Sequence, residues 1–568
     1  MNVSVPSYMT GRLAKAITKN WLLGLRETNP AILGMFSERE ERPYRDLLPW
    51  SGEFAGKYIT GAYFVYRLTP DPELYDYMIR FIDELITLQD EDGYLGVYSR
   101  ECHLTGAFSQ NPQQSGMTWD AWSHYHAMYG LLLWYGASGK GEYLACAEKA
   151  AALFLKKFYN SETGNLRLLE IGSTEMNLAP YHVFAMLYNL TGKREYLDFA
   201  LEIEKDLADE RAGNYLQHAL LGQEFYQCPK PRWESMHIIM GFAEMYRATG
   251  RKDYLRACEQ IVSSIMKTDI HNTGGFSTDE QAVGNPYRNG NIETCCVIAF
   301  DALVMEVYRL TGDVKLIDFL ERAHYNACLG LWSPTGRWST YNTPMEGERL
   351  ANIHHINFQS RAGSPELNCC SVNAARAVGT IGEWAFMEKG GALVINSYER
   401  GSFTAENGVH IGTEGQYPSQ NQVTVTIEGH TGEVWLRIPG WSRRTTLLID
   451  EKERAAVSGE YFRFACKGSC KIRLEFDFAT RFEEGGGDME GKVSIFRGPL
   501  LFGCDTSLCR GHDVTGLPTL SGAEIAAAPS RTEGEKTRIP LSGGITLGDF
   551  YHLGESGCRY VTWFYVQA

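Results

Sequence analysis

Tyr188-Asn-Leu-Thr-Gly-Lys193 is one copy of a six-residue signature that recurs along the first two thirds of the chain. The other copies are Tyr66-Arg-Leu-Thr-Pro-Asp71, Tyr135-Gly-Ala-Ser-Gly-Lys140, Tyr246-Arg-Ala-Thr-Gly-Arg251 and Tyr308-Arg-Leu-Thr-Gly-Asp313. In each copy an apolar helical pattern ends at the tyrosine and another begins just after the turn. Every copy except Tyr66–Asp71 carries a glycine, which suits the left-handed cap that ends many helices. The signature therefore predicts pairs of helices joined by tight turns.

Apolar residues at helical spacing extend this pattern to twelve predicted helices. They span roughly 10–26, 53–68, 72–89, 119–138, 140–157, 175–191, 194–208, 233–249, 252–268, 292–311, 314–329 and 371–388. Tight turns alternate with long loops, and the repeat of ~50–70 residues exceeds the ~34–47 of common solenoids. We therefore expect an (α/α)6 barrel. The alternative is an open superhelix of stacked pairs, which would show more uniform repeats and shorter loops.

The pattern changes near residue 389. Short β-rich runs follow, separated by Gly, Pro and charged turns, which is typical of a β-sandwich. These runs are Val423–Ile427, Val434–Ile438, Thr446–Ile449, Tyr461–Phe464, Ile472–Phe476 and Val493–Phe496. The prediction is a mainly α protein with a β domain: a catalytic barrel over 1–388 and a β-sandwich region over 389–568.

Composition narrows the classes of function. A chain of 568 residues is too long for one core. Its formal net charge of −15 argues against nucleic acid and anionic membranes as partners. The first residues show no signal peptide, and no apolar run is long enough to span a membrane. The fourteen cysteines then predict reduced thiols and a cytoplasmic location. The sequence leaves open whether the protein forms a homo-oligomer.

The starts of the even-numbered helices share a polar and aromatic character. In a barrel these starts surround one end of the central opening, because they all follow the long loops. They carry Trp50, Glu53, Trp119, Trp122, His124, His126, Glu175, Trp233, Glu234 and His237. Aromatic rings mixed with carboxylates and imidazoles suit a carbohydrate, which has apolar faces and hydroxyl edges. Any single Trp or His could instead simply pack at a helix entrance.

Two cysteine-rich stretches lie at later entrances, Asn291-Ile-Glu-Thr-Cys-Cys296 and Cys369-Cys-Ser-Val-Asn-Ala-Ala-Arg376. Together they offer Glu293, Cys295, Cys369 and Cys370, enough for a tetrahedral zinc. Convergence of these side chains requires extended backbone before each helix. Cys296 is expected to face away from the site. A closed structural zinc site, or no metal at all, are the alternatives.

The long loop before the tenth helix contains two adjacent carboxylates, Asp279 and Glu280. Either could serve as a general acid and base near the Glu293 stretch. We predict that Glu280 has this role, with Asp279 as the alternative.

The chain resembles glycoside hydrolase family 127, the retaining β-L-arabinofuranosidases. The motifs that carry the resemblance are Trp50-Ser-Gly-Glu-Phe-Ala-Gly-Lys-Tyr58, His126-Ala-Met-Tyr129, Glu293-Thr-Cys295, Cys369-Cys-Ser-Val-Asn-Ala-Ala-Arg376, Leu436-Arg-Ile-Pro-Gly-Trp441 and Phe496-Arg-Gly-Pro-Leu500. The resemblance implies a nucleophilic Cys369, an acid/base Glu280 and zinc on Glu293, Cys295, Cys369 and Cys370. It also implies that His126, His237 and Tyr341 contact the sugar, and Trp50 belongs with this set because of its place at a helix entrance.

The resemblance thus implies an enzyme that removes a terminal β-L-arabinofuranose or a related sugar from a carbohydrate substrate. Two alternatives remain. One is a different sugar-active (α/α)6 enzyme, an epimerase, isomerase or uronide hydrolase, which would need no cysteine cluster. The other is a carbohydrate-binding protein with structural zinc, which would release no sugar.

Overall fold

The structure is a computed structural model that describes residues 3–25, 31–351 and 367–567. Its helices are α1 (Met9–Ile17), α2 (Ala31–Ser37), α3 (Glu53–Leu68), α4 (Pro72–Thr87), α5 (Asp120–Ser138), α6 (Gly141–Lys157), α7 (Thr174–Asn177), α8 (Pro180–Thr191), α9 (Arg194–Leu207), α10 (Tyr215–Leu220), α11 (Ser235–Thr249), α12 (Lys252–Thr268), α13 (Thr294–Thr311), α14 (Val314–Ala323), α15 (Cys369–Asn373), α16 (Ala375–Gly379), α17 (Ile381–Trp384) and α18 (Gly522–Ala527). None of those helices combines the length and the apolar character needed to cross a lipid bilayer.

Six positions form a closed inner ring. In order around the ring, α3 packs on α5, α5 on α8, α8 on α11, α11 on α13 and α13 on α15, and α15 with α16 packs back on α3. The outer helices α1, α4, α6, α9, α12 and α14 each pack against an inner helix. The (α/α)6 barrel predicted from the repeat is confirmed, and the open superhelix is wrong.

The turns between paired helices have the conformation that the signature predicts. Gly139, Gly192, Gly250 and Gly312 have φ of 72°, 71°, 71° and 74°. Each donates its backbone N–H to the carbonyl of the tyrosine that opens the signature, at 2.7–2.8 Å. In the copy with proline, Asp71 instead caps the next helix by accepting from the Leu74 N–H at 3.0 Å.

Four predicted helices differ from those observed, and one of them, 314–329, is α14 up to Ala323 and then a π-helical turn, His324–Cys328. The 175–191 helix is two pieces, α7 and α8, because Pro180 lacks an amide hydrogen and begins a new helix. The 10–26 helix is α1 followed by a π-helical turn, Thr18–Leu22, and its last predicted residue, Arg26, lies outside the described residues. The 371–388 helix is three short segments ending at Trp384, after which the chain enters the first strand of the β region.

The sheet-rich part of the chain contains a large mixed sheet and a smaller antiparallel one. The strands are β1 (Val3–Pro6), β2 (Phe386–Lys389), β3 (Ala392–Ile395), β4 (Gly401–Thr404), β5 (His410–Gly415), β6 (Gln422–Arg437), β7 (Thr445–Ile449), β8 (Lys452–Arg454), β9 (Tyr461–Phe476), β10 (Arg481–Glu484), β11 (Val493–Arg497), β12 (Leu500–Asp505), β13 (Leu520–Ser521), β14 (Arg531–Glu533), β15 (Lys536–Pro540), β16 (Thr546–Asp549), β17 (Tyr560–Val561) and β18 (Val566–Gln567).

The first sheet has the order β1-β4-β5-β6-β9-β7-β8, and β3 joins β6 in parallel. The second has the order β10-β11-β12-β16-β15-β14, with β17 on β12. Strand β13 pairs with β18. Four of the predicted runs lie within only two long strands, β6 and β9. The N-terminal strand β1 belongs to the first sheet, and the division of the chain at residues 388 and 389 stays a prediction.

Helix α14 and the π-turn after it, His324–Cys328, bind the β region to the barrel. Glu321 of α14 pairs with the guanidinium of Arg437 and accepts from Trp441 Nε1 at 2.9 Å. Asn326 donates to the Pro499 carbonyl at 2.9 Å and accepts from the Leu501 N–H at 2.8 Å. The Leu436–Trp441 and Phe496–Leu500 motifs therefore lie at the junction between the two regions.

Cys504 and Cys509 are joined by a disulfide, so the expectation that every cysteine is reduced is wrong for this pair. The other twelve cysteines are free.

Candidate active site

A cavity of about 230 Å³ lies where the inner helices begin. Its rim consists of half-buried side chains: Trp50, Trp119, Arg232 and Glu280. Its floor consists of buried ones: Glu53, Trp233, Glu234, Glu293, Tyr341 and Cys369. The volume is below the about 300–1,000 Å³ of sites for drug-sized ligands. A single sugar ring is therefore a better match for the floor than an extended chain.

The predicted cluster of one carboxylate and three thiols comes together beneath this floor. The ligand atoms of Glu293, Cys295, Cys369 and Cys370 all lie within 4.8 Å of one another, and all four residues are buried. Cys370 Sγ lies 3.1 Å from Glu293 Oε1. Cys369 Sγ lies 3.8 Å both from that oxygen and from Cys370 Sγ.

The local backbone explains how these side chains converge. Glu293 is the extended residue before α13, with φ −75° and ψ 140°, as predicted. Cys369 and Cys370 instead occupy the first turn of α15, so the expectation of extended backbone there is wrong. Asn368 caps that turn, accepting from the Ser371 N–H at 2.8 Å while its own N–H donates to Ser371 Oγ at 3.0 Å. The cap holds both thiols at the start of the helix.

The four residues fit a tetrahedral metal site. Ligands at about 2.3 Å from a zinc ion would lie about 3.8 Å apart, which is close to the distances between these atoms. Thiolate-rich donor sets select zinc over magnesium or calcium. Cys296 is outside this set of four, and its Sγ donates to Glu293 Oε2 at 3.6 Å.

The thiols differ in their electrostatic surroundings. Burial raises the pKa of Cys295, but hydrogen bonds from Cys369 and Cys370 and the charge of Lys57 outweigh it, so the net pKa is well below the usual value. The pKa of Cys370 is raised, first by burial and then by Cys295. The pKa of Cys369 is raised chiefly by its hydrogen bond with Cys295. These directions make Cys295 the most readily ionised of the three thiols.

Lys57 is a site residue that the sequence analysis missed. Its ammonium is 1% exposed and lies 2.8 Å from Glu53 Oε1 and 3.8 Å from Cys295 Sγ. Burial lowers the pKa of Lys57, but the charges of Cys295 and Glu53 outweigh it and leave the group cationic. The signal in the sequence was the Glu53–Lys57 spacing of four residues at a helix entrance, which places both on one face.

Glu280 lies on the rim and is linked to the nucleophile candidate through one hydroxyl. Tyr341 Oη is 3.2 Å from Glu280 Oε1 and 3.7 Å from Cys369 Sγ. Asp279, by contrast, is 46% exposed and pairs with Arg288 at 3.1 Å. Both residues have positive φ, 54° for Asp279 and 69° for Glu280, which is uncommon for residues other than glycine.

Arg232 joins two carboxylates of the cavity. Its Nη2 lies 2.9 Å from Glu280 Oε2 and 2.7 Å from Glu234 Oε1. Burial raises the pKa of Glu234 to about 7, and the ion pair with Arg232 opposes that rise. Glu234 stands at a helix entrance in the sequence without a predicted role in the site, and no sequence signal singled out Arg232.

His126 and His237 lie deeper than the cavity that the described residues enclose. The Trp122 ring covers both, with edge-to-face contacts at 4.4 Å to His126 and 4.9 Å to His237. Burial lowers the pKa of both imidazoles well below the usual value, so both are neutral. Of the predicted sugar contacts, only Trp50 and Tyr341 line the cavity. Contact between the two histidines and a sugar stays a prediction.

Three comparisons with known proteins point to the same family. The family described as "Beta-L-arabinofuranosidase, GH127 catalytic domain" matches residues 15–383. A non-reducing end β-L-arabinofuranosidase of Bifidobacterium longum subsp. longum is 22% identical over 500 residues, covering 78% of this chain and 74% of the relative. Among solved structures, a GH127 β-L-arabinofuranosidase from Geobacillus stearothermophilus T6 superposes with a TM-score of 0.79 at 18% identity, covering 100% of both chains. A second GH127 β-arabinofuranosidase gives 0.78 at 18% identity, covering 99% of this chain and 96% of the other.

Proposed function

This chain belongs to glycoside hydrolase family 127, and from that premise we propose that it is a retaining hydrolase that releases a terminal β-L-arabinofuranose or a closely related sugar. The family membership predicted from the sequence is confirmed. The names of the relatives support the choice of sugar, since both the bifidobacterial enzyme and the Geobacillus one are called β-L-arabinofuranosidases.

The observation that carries the proposal is the contact of Tyr341 with both reacting groups. Its hydroxyl lies 3.7 Å from the Cys369 sulfur and 3.2 Å from a Glu280 oxygen. A sulfur on the floor and a carboxyl group on the rim are thus brought to one small cavity. A nucleophile and an acid/base on either side of a glycosidic bond are what retaining hydrolysis requires.

In the proposed first step, the Cys369 thiolate attacks the anomeric carbon while Glu280 gives its proton to the departing oxygen. A carbon–sulfur bond forms and the glycosidic carbon–oxygen bond breaks. In the second step Glu280, now ionised, takes a proton from water as the water attacks the same carbon. The carbon–sulfur bond breaks, the thiolate is restored, and the sugar leaves with its original configuration.

Cys369 suits the nucleophilic role better than its two neighbours. It lines the cavity and is 8% exposed, whereas Cys295 and Cys370 are fully buried. Tyr341 Oη stands beside its sulfur and can orient it. Lys57 and Asn373 instead donate hydrogen bonds to Cys295 Sγ, at 3.8 and 3.6 Å, and these contacts reduce the availability of that sulfur for attack.

Zinc is the metal that we propose for Glu293, Cys295, Cys369 and Cys370. When bound, zinc would keep the thiols deprotonated near neutral pH. The carboxylate of Glu293 adds the one hard oxygen donor to the set.

The proposal is tested by incubating the purified protein with a panel of aryl pentofuranosides, together with metal analysis of the same sample. We expect release from the aryl β-L-arabinofuranoside, a β-configured first product by NMR, and about one zinc per chain. Cys369→Ser should abolish turnover. The matched control is Cys146→Ala, a buried cysteine on outer helix α6, which should retain turnover. No release from any member of the panel, or full activity of Cys369→Ser, would refute the proposal.

A further inference from the structure

The cavity has two sides at its rim, and they differ in chemistry. Trp50 and Trp119 present partly exposed indole rings, whereas Arg232 and Glu280 present a charged pair. The floor beneath them is buried and holds Cys369. A substrate whose terminal sugar reaches the floor must therefore place its remaining portion between these two sides.

The order of the inner helices places the two sides at different entrances of the ring. Trp50 precedes α3, and Arg232 precedes α11, three positions away around the six-membered ring. Glu280 lies at the same entrance as Arg232, because its backbone carbonyl accepts from the Trp233 N–H at 3.2 Å, and Trp119 precedes α5, two positions away from α11. The two indoles and the charged pair thus belong to separate entrances around one cavity.

The two indoles are held as one unit. Their ring centroids are 5.1 Å apart, with the planes tilted by 43°. The Trp119 N–H donates to the Pro49 carbonyl at 2.8 Å, which ties the segment before α5 to the segment before α3. Trp119 also meets the buried Trp122 edge to face, at 6.4 Å. These contacts fix the position of an aromatic surface before any ligand binds, which reduces the entropy lost on binding.

We propose that Trp50 and Trp119 form the binding site for the leaving group, and that this group is an uncharged sugar ring. The inference rests on the proposed hydrolytic function and names its substrate class. An indole face matches the apolar face of a sugar ring. Among the described residues that line the cavity, the acidic side chains are Glu53, Glu234, Glu280 and Glu293, and the one basic side chain, Arg232, is already paired with two of them. A carboxylate on the leaving group would therefore have to compete with these acids for that guanidinium.

The test compares three substrates that share a terminal β-L-arabinofuranose. They are the methyl glycoside, a disaccharide with an uncharged pyranose as leaving group, and the matching disaccharide with a uronic acid. The wild-type protein should prefer the uncharged disaccharide, by kcat/KM, over the uronic acid by about tenfold or more, which corresponds to about 1.4 kcal/mol.

The variants are Trp50→Ala and Trp119→Ala, with Trp50→Phe and Trp119→Phe to retain an aromatic face. Each alanine variant should lose about tenfold more kcat/KM on the uncharged disaccharide than on the methyl glycoside, and phenylalanine should recover part of that difference. Trp338→Ala, which removes an exposed indole that does not line the cavity, is the matched control and should show no such difference.

The outcomes separate the two proposals. Equal losses on both substrates, or a preference for the uronic acid, would overturn the leaving-group site while the hydrolytic function stands. Failure of the wild-type protein to hydrolyse any of the three would overturn the hydrolytic function, and the leaving-group site with it.

Discussion

Glu280 and Asp279 are adjacent in sequence but lie in different surroundings. Glu280 lines the cavity and contacts Tyr341 and Arg232, whereas Asp279 points to Arg288 and to Asn291 Nδ2 at 3.0 Å. We predict that Glu280→Gln lowers kcat on an alkyl arabinofuranoside by about 10²–10⁴-fold, the usual contribution of a general acid and base. Steady-state kinetics on the purified variant would measure the loss.

Asp279→Asn is the matched control for that prediction. It makes the same change of charge one residue away, and its activity should stay within about threefold of wild type because a solvated loop carboxylate contributes little. The leaving group of an aryl substrate needs less protonation than an alkyl one. Glu280→Gln should therefore lower kcat less on an aryl than on an alkyl arabinofuranoside. Equal losses from the two variants would remove the acid/base role from Glu280.

The residues of the cysteine cluster could be named from the sequence, because thiols beside a carboxylate at helix entrances have few other uses. Lys57 could not be named in the same way. Its sequence spacing relates it to Glu53, but its contact with Cys295 exists only because α3 and α13 meet in the closed ring. The covering of His126 by Trp122 is likewise a property of packed rings that no spacing reveals.

At the scale of elements, the cap of α15 sets the position of two predicted metal ligands. Asn368→Ala removes the side-chain oxygen that accepts from the Ser371 N–H, a change that typically costs about 1 kcal/mol. We predict that it also weakens zinc binding, because Cys369 and Cys370 follow the cap directly. Competition with a chromophoric chelator would measure the affinity, and thermal melting would measure the stability.

Asp71→Ala provides the comparison for this cap. Asp71 accepts from the Leu74 N–H at 3.0 Å and caps α4, far along the chain from the cysteines. Its loss should destabilise the protein by a similar ~1 kcal/mol while leaving the zinc affinity unchanged. If both variants weaken zinc binding alike, the effect is one of general stability rather than of the α15 cap.

The elements themselves were predictable where a local signal existed. The glycine turns after Tyr135, Tyr188, Tyr246 and Tyr308 marked helix ends correctly, since each glycine adopts the left-handed conformation that its position requires. The last inner position was predicted as one helix, but it is broken into α15, α16 and α17, and its end becomes β2. Apolar spacing alone does not reveal such breaks.

For the whole molecule, the buried guanidinium of Arg437 joins the large sheet to α14. It is fully buried, and it contacts Asp318 Oδ1 at 2.6 Å as well as Glu321. We predict that Arg437→Met destabilises the protein by about 3–5 kcal/mol, because two carboxylates then lose their buried partner. A fall in the urea midpoint of unfolding would measure this loss.

Arg473→Met is the control on the neighbouring strand β9. Arg473 pairs with Glu451 at 3.0 Å, but the two side chains are 51% and 63% exposed. Its loss should change stability by less than about 1 kcal/mol, as for most surface pairs. A change as large as that of Arg437→Met would mean that burial is not the source of the difference.

The fold class was predictable, whereas the extent of the sheets was not. Alternating runs located β6 and β9 but divided each into two, because the bulge at Gly429 in β6 and Gly468 in β9 interrupt the pattern while the pairing continues across them. Strand β1 is four residues long and pairs with β4 about 400 positions later. Pairing over such a separation depends on the finished barrel rather than on local sequence.

Strand β1 has a consequence for any attempt to divide this protein. Residues 3–6 form hydrogen-bonded partners with residues 401–404, so the start of the helical chain is an edge of the sheet that the end of the chain builds. A fragment that stops after the last barrel helix would expose an unmatched ribbon of backbone, which invites aggregation. A chimera that replaces the β region must supply a strand to pair with residues 3–6. The two halves of this polypeptide therefore cannot be exchanged as independent modules.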